Sequence, residues 1–169
     1  MPDGSAAVQD FYPEDFAYCY GCGRLNEHGL QLKTRWDGGE TVAVFVPQPW
    51  HISVPGFVYG GLIASLIDCH AMGTAAAVVE RTAGRRIGER PAPRFVTAAL
   101  QVTYLKPTPL GPELQLRGRA TQATDRKVVV EVSVAVGGVV TARGEAVAVR
   151  MPESMATGDG RRETRDGNT

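Results

Sequence analysis

A single acid interrupts the longest apolar stretch of the sequence. Residues 58–79 are predominantly apolar, and Asp68 lies near their middle. An ionised carboxylate resists transfer from water into apolar surroundings, so this acid needs either a compensating contact or a function. Two interpretations stay open from the residues alone: a polar seam or subunit contact, and a nucleophile or general base in a partly dry cleft.

Two glycines precede this acid by eight and seven residues. Gly60 and Gly61 stand where the apolar stretch is expected to begin a helix, and the first amides of a helix lack partners and lie at its positive end. Such amides form an oxyanion hole when a carbonyl can approach them closely, which glycine allows. A tight turn into the helix explains the same pair without chemistry.

The element that must position these residues is a long buried helix. Helix-forming residues run from Gly60 to about Glu80 and are apolar nearly all round, so other elements must enclose this helix. Its length would suit a membrane span, but Asp68 and His70 near the middle would be costly in lipid. His70 lies about 200° around the helix from Asp68, so the two side chains are expected to face apart.

The remaining pattern predicts strands. Residues 30–36 alternate, a turn follows at 37–39, and residues 41–46 complete a hairpin. After a Gly/Arg/Pro-rich loop, further strands are predicted at the following ranges: 95–105, 114–120, 127–136 and 139–149. The order β-β-α-β-β-β-β indicates an α+β fold with a long antiparallel sheet wrapped around one central helix. Such a sheet leaves an edge and part of a face to be covered, so at least a dimer is expected.

The chain is predicted to form one domain with two appendages. At 169 residues and 43% hydrophobic content it can build one sizeable core. Residues 1–29 show no clear period and are interpreted as an irregular N-terminal arm before a domain at 30–150. Residues 151–169 are polar and charged and are predicted to be a disordered tail.

Composition also limits the partners. Eighteen Lys and Arg residues balance 18 Asp and Glu residues, so no broad field favours nucleic acid or an anionic membrane surface. The first residues lack a basic region followed by an apolar run, which argues against a signal peptide and for a cytoplasmic protein. Three cysteines without an export signal indicate reduced thiols.

Two of these cysteines form a Cys-x-x-Cys pair. Cys19 and Cys22, with His28 nearby, invite a zinc interpretation, but the sequence offers no second cysteine pair and no clear fourth ligand. We therefore predict a turn-forming arm in which both cysteines are small, semi-buried residues, and no metal site.

Three segments together resemble a known family. They are Pro55-Gly56-Phe57-Val58-Tyr59-Gly60-Gly61 with the acid Asp68, the strand end Val102-Thr103-Tyr104-Leu105-Lys106-Pro107, and Cys19-Tyr20-Gly21-Cys22-Gly23-Arg24-Leu25-Asn26 with Gly29-Leu30. The sequence resembles the hotdog-fold acyl-CoA thioesterases of the phenylacetyl-CoA thioesterase class over roughly residues 19–149. The resemblance implies hydrolysis of an acyl-CoA thioester to free acid and CoA at a dimer-interface site. It implies a homodimer or homotetramer, and no cofactor, since CoA is part of the substrate.

The resemblance also assigns roles by position. Asp68 matches the family's nucleophile or general base, and Gly60 matches the glycine whose N–H polarises the thioester carbonyl. Thr97 falls where the family places a hydroxyl that holds water or the carboxylate. Ser53 falls where some members position water. One subunit would supply Asp68 and Thr97, and its partner the side with Gly60 and Ser53.

One departure from the family affects the glycine segment. Tyr59 replaces the usual histidine; a phenol still forms hydrogen bonds, but it is bulkier and titrates far above neutral pH. A non-catalytic protein that binds acyl-CoA or a small aromatic ligand is therefore kept as the alternative. A hydroxyacyl-thioester dehydratase is less favoured. His51 followed by Pro55-Gly56 is similar to the pattern of those enzymes, but their acid comes soon after Pro-Gly, whereas the acid here is Asp68.

CoA carries phosphates that need cations at the rim of a cleft. Lys106, Arg126 and Lys127 stand at predicted strand ends and are the first candidates. His51 is expected near the cleft mouth. A second group of candidates lies in the loop after the helix: Arg85, Arg86 and Arg90.

Overall fold

A computed structural model of the chain describes residues 6–156. Its elements in chain order are two 3-10 turns (Val8–Phe11 and Glu14–Phe16), β1 (Arg35–Asp37), β2 (Glu40–Phe45), α1 (Gly60–Thr82), β3 (Phe95–Tyr104), β4 (Leu114–Ala123), β5 (Lys127–Val136), β6 (Val139–Arg150) and a short α2 (Glu153–Ala156). The strands form one antiparallel sheet in the order β1-β2-β4-β5-β6-β3. The predicted order and the sheet around one central helix are confirmed.

Small residues let the sheet close tightly on α1. A side chain at Gly118 of β4 would lie 2.5 Å from the Thr74 hydroxyl, and one at Gly144 of β6 would lie 2.5 Å from a methyl of Ile67. The strands therefore approach the helix where they carry no side chain. Ile67 and Thr74 are fully buried as a result. The helix has the length and mean hydropathy of a membrane span, but most of that stretch is buried inside this domain.

The ends of the chain differ from the sequence predictions. Only residues 35–37 of the predicted first strand pair with β2, and the preceding residues pack irregularly, with Leu32 and Thr34 buried. The N-terminal arm contains two 3-10 turns and contributes fully buried side chains such as Tyr12 to the core. The disordered tail was predicted too early, because residues 153–156 form a helical turn and the Met151 amide donates to the Arg94 carbonyl at 3.0 Å. The rest of that tail lies outside the described residues.

β3 forms one edge of the sheet and is poorly covered. Seven of its ten residues are exposed, including Leu100 and Tyr104. Its pairing with β6 is interrupted between Thr97 and Ala99, which leaves Ala98 as an extra residue, a β-bulge. A ten-residue edge strand with exposed apolar side chains is a surface on which a second chain can add its own strand.

Candidate active site

Asp68 lies in the middle of α1 and reaches β3. Its carboxylate accepts a short hydrogen bond from the Thr97 hydroxyl. The side chain is half-buried, between the enclosed core and the exposed edge of the sheet. The structure thus brings together the acid and the hydroxyl that the family resemblance pairs.

Thr97 lies on the face of β3 that contacts the helix, directly before the bulge. In a regular strand Thr97 would share a face with Ala99, since side chains two residues apart lie on the same side. Here Thr97 pairs with Ala148, which is fully buried, whereas Ala99 pairs with Val147, the next residue along β6. The extra residue therefore shifts the alternation by one, so that Thr97 shares the buried face with Phe95 and not with Ala99.

Burial raises the pKa of Asp68 above its ordinary value. The hydrogen bond from Thr97 acts in the opposite direction, and the nearby Cys19 and Arg94 have smaller, opposing effects. No Lys or Arg side chain forms an ion pair with this carboxylate within residues 6–156. Asp68 is therefore a partly desolvated carboxylate with one hydroxyl partner, which is the state expected of a base or nucleophile rather than of a structural ion pair.

The amides at the start of α1 are available to a ligand. Leu62 and Ile63 donate to the Tyr59 carbonyl at 3.1 and 3.3 Å. Neither the Gly60 amide nor the Gly61 amide has an acceptor within the described residues. They are two of the donors that every helix leaves without an internal partner, at the positive end of its dipole.

Tyr104 fixes the peptide between these glycines, a role that the sequence did not reveal. Its hydroxyl donates to the Gly60 carbonyl at 2.7 Å. A side chain added at Gly60 would lie 3.3 Å from the Tyr104 hydroxyl oxygen. Because the bond is to the Gly60 carbonyl, it orients the peptide that carries the Gly61 N–H and polarises that donor. Tyr104 belongs to the strand-end segment that resembles the family, but only the fold shows that its phenol contacts Gly60.

Asp68 and Gly60 cannot act on one carbonyl from the same chain. They are eight residues apart on a continuous helix, which at about 1.5 Å per residue separates them by about 12 Å. A catalytic carboxylate and an oxyanion donor each need to lie about 3 Å from the reacting group. The Asp68 carboxylate and the Gly60 amide of one chain therefore do not lie within reach of the same reacting group.

Two open cavities flank the start of α1. One, of about 500 Å³, is lined by Ser53, Gly60, Tyr104 and Lys106 together with neighbouring apolar residues. The other, of about 760 Å³, lies on the opposite side and is lined by residues of the N-terminal arm, the 45–52 segment and the helix start, among them Tyr20, Phe45, Trp50, His51, Tyr59 and Gly61. Both glycines therefore lie at a cavity surface.

Tyr59 lies directly against the second glycine. A side chain at Gly61 would overlap the Tyr59 ring, with distances of 2.4 to 2.6 Å to its atoms. The phenol itself is 57% exposed, so it covers the helix start without being held in the core. Replacement of the usual histidine thus narrows one side of the predicted oxyanion hole.

Ser53 and His51 have modest roles in this geometry. The Ser53 hydroxyl is exposed and makes only a long hydrogen bond, 3.5 Å, to the Phe57 carbonyl, so it is available to a ligand. His51 Nδ1 accepts from the Gln48 amide at 2.9 Å, and burial lowers the pKa of the imidazole. His51 is a loop residue at the cavity surface, as the sequence suggested, and its carbonyl accepts the Tyr59 amide.

The predicted phosphate ligands do not gather at one place in a single chain. Lys106 follows the end of β3 near the start of α1. Arg126 lies in the β4–β5 turn and Lys127 begins β5, and both contact the far end of β6. None of these three side chains forms an ion pair within residues 6–156. The second group is engaged: Arg85 and Arg90 bind Glu80, and Arg86 binds Glu89.

The other polar residues of α1 are satisfied internally. His70 is fully buried between the hydroxyls of Thr34 and Thr41, at 3.0 and 3.3 Å, and burial lowers its pKa to about 4. It faces away from Asp68, as the helical spacing predicts. Glu80, 3% exposed, accepts hydrogen bonds from two arginines. Among these residues only Asp68 borders the exposed edge.

Comparison with known proteins agrees with this geometry. Residues 55–142 match the model of the thioesterase superfamily, and this range contains the glycine pair, the acid and Thr97. The chain belongs to the thioesterase superfamily, whose hotdog fold its sheet and central helix share. A search of curated proteins gives no significant match.

Solved structures supply closer parallels. A thioesterase superfamily protein from Shewanella loihica is 47% identical and aligns over 82% of this chain and 97% of its own, with a TM-score of 0.63. The Escherichia coli PaaI protein of the phenylacetic acid degradation operon is 14% identical over 73% of this chain and 81% of its own, with a TM-score of 0.59. A Streptococcus mutans protein bound to acetyl CoA is 19% identical and aligns over 76% of this chain and 96% of its own, with a TM-score of 0.58. Because the last two proteins are less than 20% identical to this chain, they support a shared fold and nothing more specific.

Proposed function

We propose that this protein hydrolyses an acyl-CoA thioester to a free acid and CoA. The observation that carries the proposal is the Asp68 carboxylate, which is partly desolvated, bound by the Thr97 hydroxyl and not ion-paired with any Lys or Arg of the described residues. Membership of the thioesterase superfamily supports thioester chemistry at this acid. The CoA bound in related folds supports CoA as the leaving group.

The reaction follows from the groups present. In the general-base form, Asp68 removes a proton from water as the oxygen attacks the thioester carbonyl. The tetrahedral oxyanion is stabilised by the Gly60 N–H, and the C–S bond then breaks so that CoA leaves as a thiolate that regains the proton. In the nucleophilic form, the carboxylate attacks the carbonyl directly, the C–S bond breaks and CoA leaves as a thiolate, and water then cleaves the resulting anhydride. Thr97 holds the carboxylate in either case.

The active site is formed between two subunits. Because Asp68 and Gly60 of one helix lie about 12 Å apart, one chain provides the acid and Thr97, and the second provides the helix start with Gly60, Ser53 and Tyr104. The exposed edge strand β3 supports this assembly, since antiparallel pairing of two such edges extends the sheet across the dimer. The same pairing brings Lys106 of one chain toward the β4–β5 turn of the other.

The first test measures thiol release from a panel of acyl-CoA substrates. Wild type is expected to hydrolyse at least one of them, and Asp68→Asn to lose about 10²- to 10⁴-fold in kcat while it still binds acyl-CoA. Full activity of Asp68→Asn would remove the acid from the mechanism. If wild type binds acyl-CoA but releases no thiol from any chain length, the protein is instead a binding module of the same fold.

The second test separates the two halves of the site. Gly60 is the first residue of α1, where proline is well tolerated, and Tyr59 has an extended conformation that suits a following proline. Gly60→Pro deletes the amide donor, while the control Gly60→Ala adds a methyl and keeps it. We expect Gly60→Pro to lose about 10²- to 10³-fold in kcat and Gly60→Ala much less.

Mixing then tests the shared site directly. When Asp68→Asn and Gly60→Pro chains are unfolded together and refolded, half of the dimers are expected to be mixed. Each mixed dimer contains one intact site, formed from the unaltered acid of one chain and the unaltered glycine of the other. About a quarter of wild-type activity should therefore return, although each variant alone is inactive. No recovery in verified mixed dimers would show that each chain carries its own complete site.

A further inference from the structure

The three cysteines of the chain converge from two distant segments. Cys19 and Cys22 lie in the N-terminal arm, and Cys69 lies on α1 directly after Asp68. All three sulfurs are within 4.8 Å of one another. The sequence showed only the pair in the arm, because the third cysteine is 47 residues further along the chain. The fold thus adds a third cysteine to the pair that the sequence spacing showed.

The sulfur separation fits a shared metal ion better than a disulfide. The Cys19 and Cys69 sulfurs are 3.7 Å apart. Tetrahedral zinc with Zn–S bonds of about 2.3 Å sets its sulfur ligands about 3.8 Å apart. A disulfide requires about 2.05 Å. The remaining pairs reach this spacing by side-chain adjustments of about 1 Å or less.

The arm is shaped around the first two sulfurs. The chain turns back at Cys19, where the Gly23 amide donates to the Cys19 carbonyl at 2.7 Å. A side chain at Gly21 would lie 2.2 Å from the Cys69 sulfur. Glycine at this position therefore lets the turn come directly onto the helical cysteine.

The charge around the cluster also suits a metal thiolate. Three thiolates and one divalent ion carry a net charge of −1. Arg94, a half-buried cation, acts electrostatically on Cys19 and Cys22 and stacks over the Tyr12 ring at 4.4 Å from its centroid. Its positive charge offsets the excess negative charge of such a centre.

We propose that Cys19, Cys22 and Cys69 bind one zinc ion, which fastens the N-terminal arm to α1 beside Asp68. Within residues 6–156 no His, Asp, Glu or further Cys places a ligand atom in this group, so water or another small donor takes the fourth position, on the side of the half-buried Cys19. The ion has a structural role, since the arm it holds forms one wall of the larger cavity through Tyr20 and Leu30. This site does not depend on the proposed hydrolysis.

The first experiment measures metal in the full chain. Protein is reduced under nitrogen, stripped with a chelator, and titrated with zinc or cobalt. We expect one equivalent per chain, and for cobalt the near-ultraviolet thiolate charge-transfer bands and the strong visible bands of a four-coordinate ion. Absence of these bands from the reduced protein would overturn the proposal, as would a protein that, before reduction, holds no metal and has a mass two hydrogens lower because two of these cysteines form a disulfide.

Variants identify the ligands. Cys69→Ser and Cys19→Ser are each expected to weaken zinc binding at least 100-fold in competition with a chromophoric chelator. His28→Gln is the matched control: the sequence offers this histidine as a ligand, but its side chain is 87% exposed and lies outside the cluster. Cys19 is half-buried, so its variant tests binding even if Cys69→Ser folds poorly. Unchanged affinity in both serine variants, or loss of zinc in His28→Gln, would contradict the assigned ligand set.

Discussion

Asp68 and Glu80 are carboxylates of the same helix, about three turns apart, and their surroundings differ in every respect that matters for chemistry. Glu80 is almost fully buried and receives hydrogen bonds from Arg85 and Arg90, with the shortest contacts at 2.8 and 2.7 Å. These bonds lower its pKa to about 2. Asp68 has one hydroxyl as its partner, and burial raises its pKa. Glu80 is held by two cations, whereas Asp68 has no ion-pair partner within the described residues.

Two kinds of polar group lie on this helix. From its middle onward, His70, Thr74 and Glu80 are buried with hydrogen-bond partners inside the domain, which makes them structural. Toward its N-terminal end, the amides of Gly60 and Gly61 and the carboxylate of Asp68 are left with incomplete sets. Unsatisfied groups at a cavity surface are the ones a substrate can satisfy.

The two acids can be compared by the same isosteric change. Glu80→Gln is expected to lower the free energy of unfolding by about 3 kcal/mol, as follows from a pKa of about 2 against an ordinary value of 4.5. Asp68→Asn is expected to leave the free energy of unfolding unchanged or to raise it slightly, because burial disfavours the ionised acid. Urea denaturation at pH 7 measures both. Equal losses would end the distinction between a structural and a functional acid.

Acid unfolding sharpens the same comparison. The contribution of Glu80 is present above pH 4.5, where the glutamate is ionised in both folded and unfolded chains. It is lost as the pH falls from 4.5 toward 2, because the unfolded chain takes up the proton first. Wild type should therefore lose stability faster than Glu80→Gln across this range. Parallel curves for the two proteins would show that the arginines do not hold the charge.

Thr97 is the partner that distinguishes Asp68. Thr97→Val removes a hydrogen bond to a charged group, so kcat is expected to fall about 10- to 30-fold, which corresponds to about 2 kcal/mol. Thr97→Ser keeps the hydroxyl and is the control, with a change of no more than about threefold. Steady-state kinetics on the best acyl-CoA gives the values. If valine and serine behave alike, the hydroxyl does not position the acid.

Tyr104 tests the other half of the site. Tyr104→Phe deletes the donor to the Gly60 carbonyl and should lower kcat about fivefold, in line with about 1 kcal/mol for one neutral hydrogen bond. The exposed position predicts little change in stability. A loss confined to KM would assign the phenol to substrate binding instead.

Tyr59 is expected to have the smallest effect. Its ring narrows the helix start, so Tyr59→Ala should improve kcat/KM for bulky acyl groups relative to short ones by about threefold, less than 1 kcal/mol. Tyr59→Phe keeps the ring and should leave this ratio unchanged. A fall in kcat with Tyr59→Phe would instead give the phenol hydroxyl a catalytic role.

The parts of the fold that follow from local patterns were predictable. The helix was expected from Gly60 to about Glu80 and extends to Thr82, since an uninterrupted run of helix formers fixes it. β5 and β6 follow β-branched runs around Gly137-Gly138. The first strand was predicted too long, because alternation in residues 30–34 reflects packing on the core and not pairing with a strand.

The site was predictable only in part. Asp68 was identified from the cost of burying a charge, which a sequence shows directly. Thr97 came from the family resemblance, because alternation places it on the buried face when it is counted from Phe95 but on the opposite face when it is counted back from Val102 across the bulge. The contacts of Tyr104 and Cys69, on which two of the proposals rest, were missed, since their partners lie 44 and 50 residues away.

The separation of Asp68 and Gly60 along α1 has a consequence for genetics. In a dimer with shared sites, a chain with one of these residues altered disables one site of a mixed dimer, so total activity falls in proportion to the fraction of altered chains. A chain with both residues altered disables both sites of every dimer it enters, and activity then falls as the square of the unaltered fraction. An altered Asp68 or an altered Gly60 alone is therefore expected to behave as recessive, whereas a gene that carries both changes is expected to interfere with the unaltered chains.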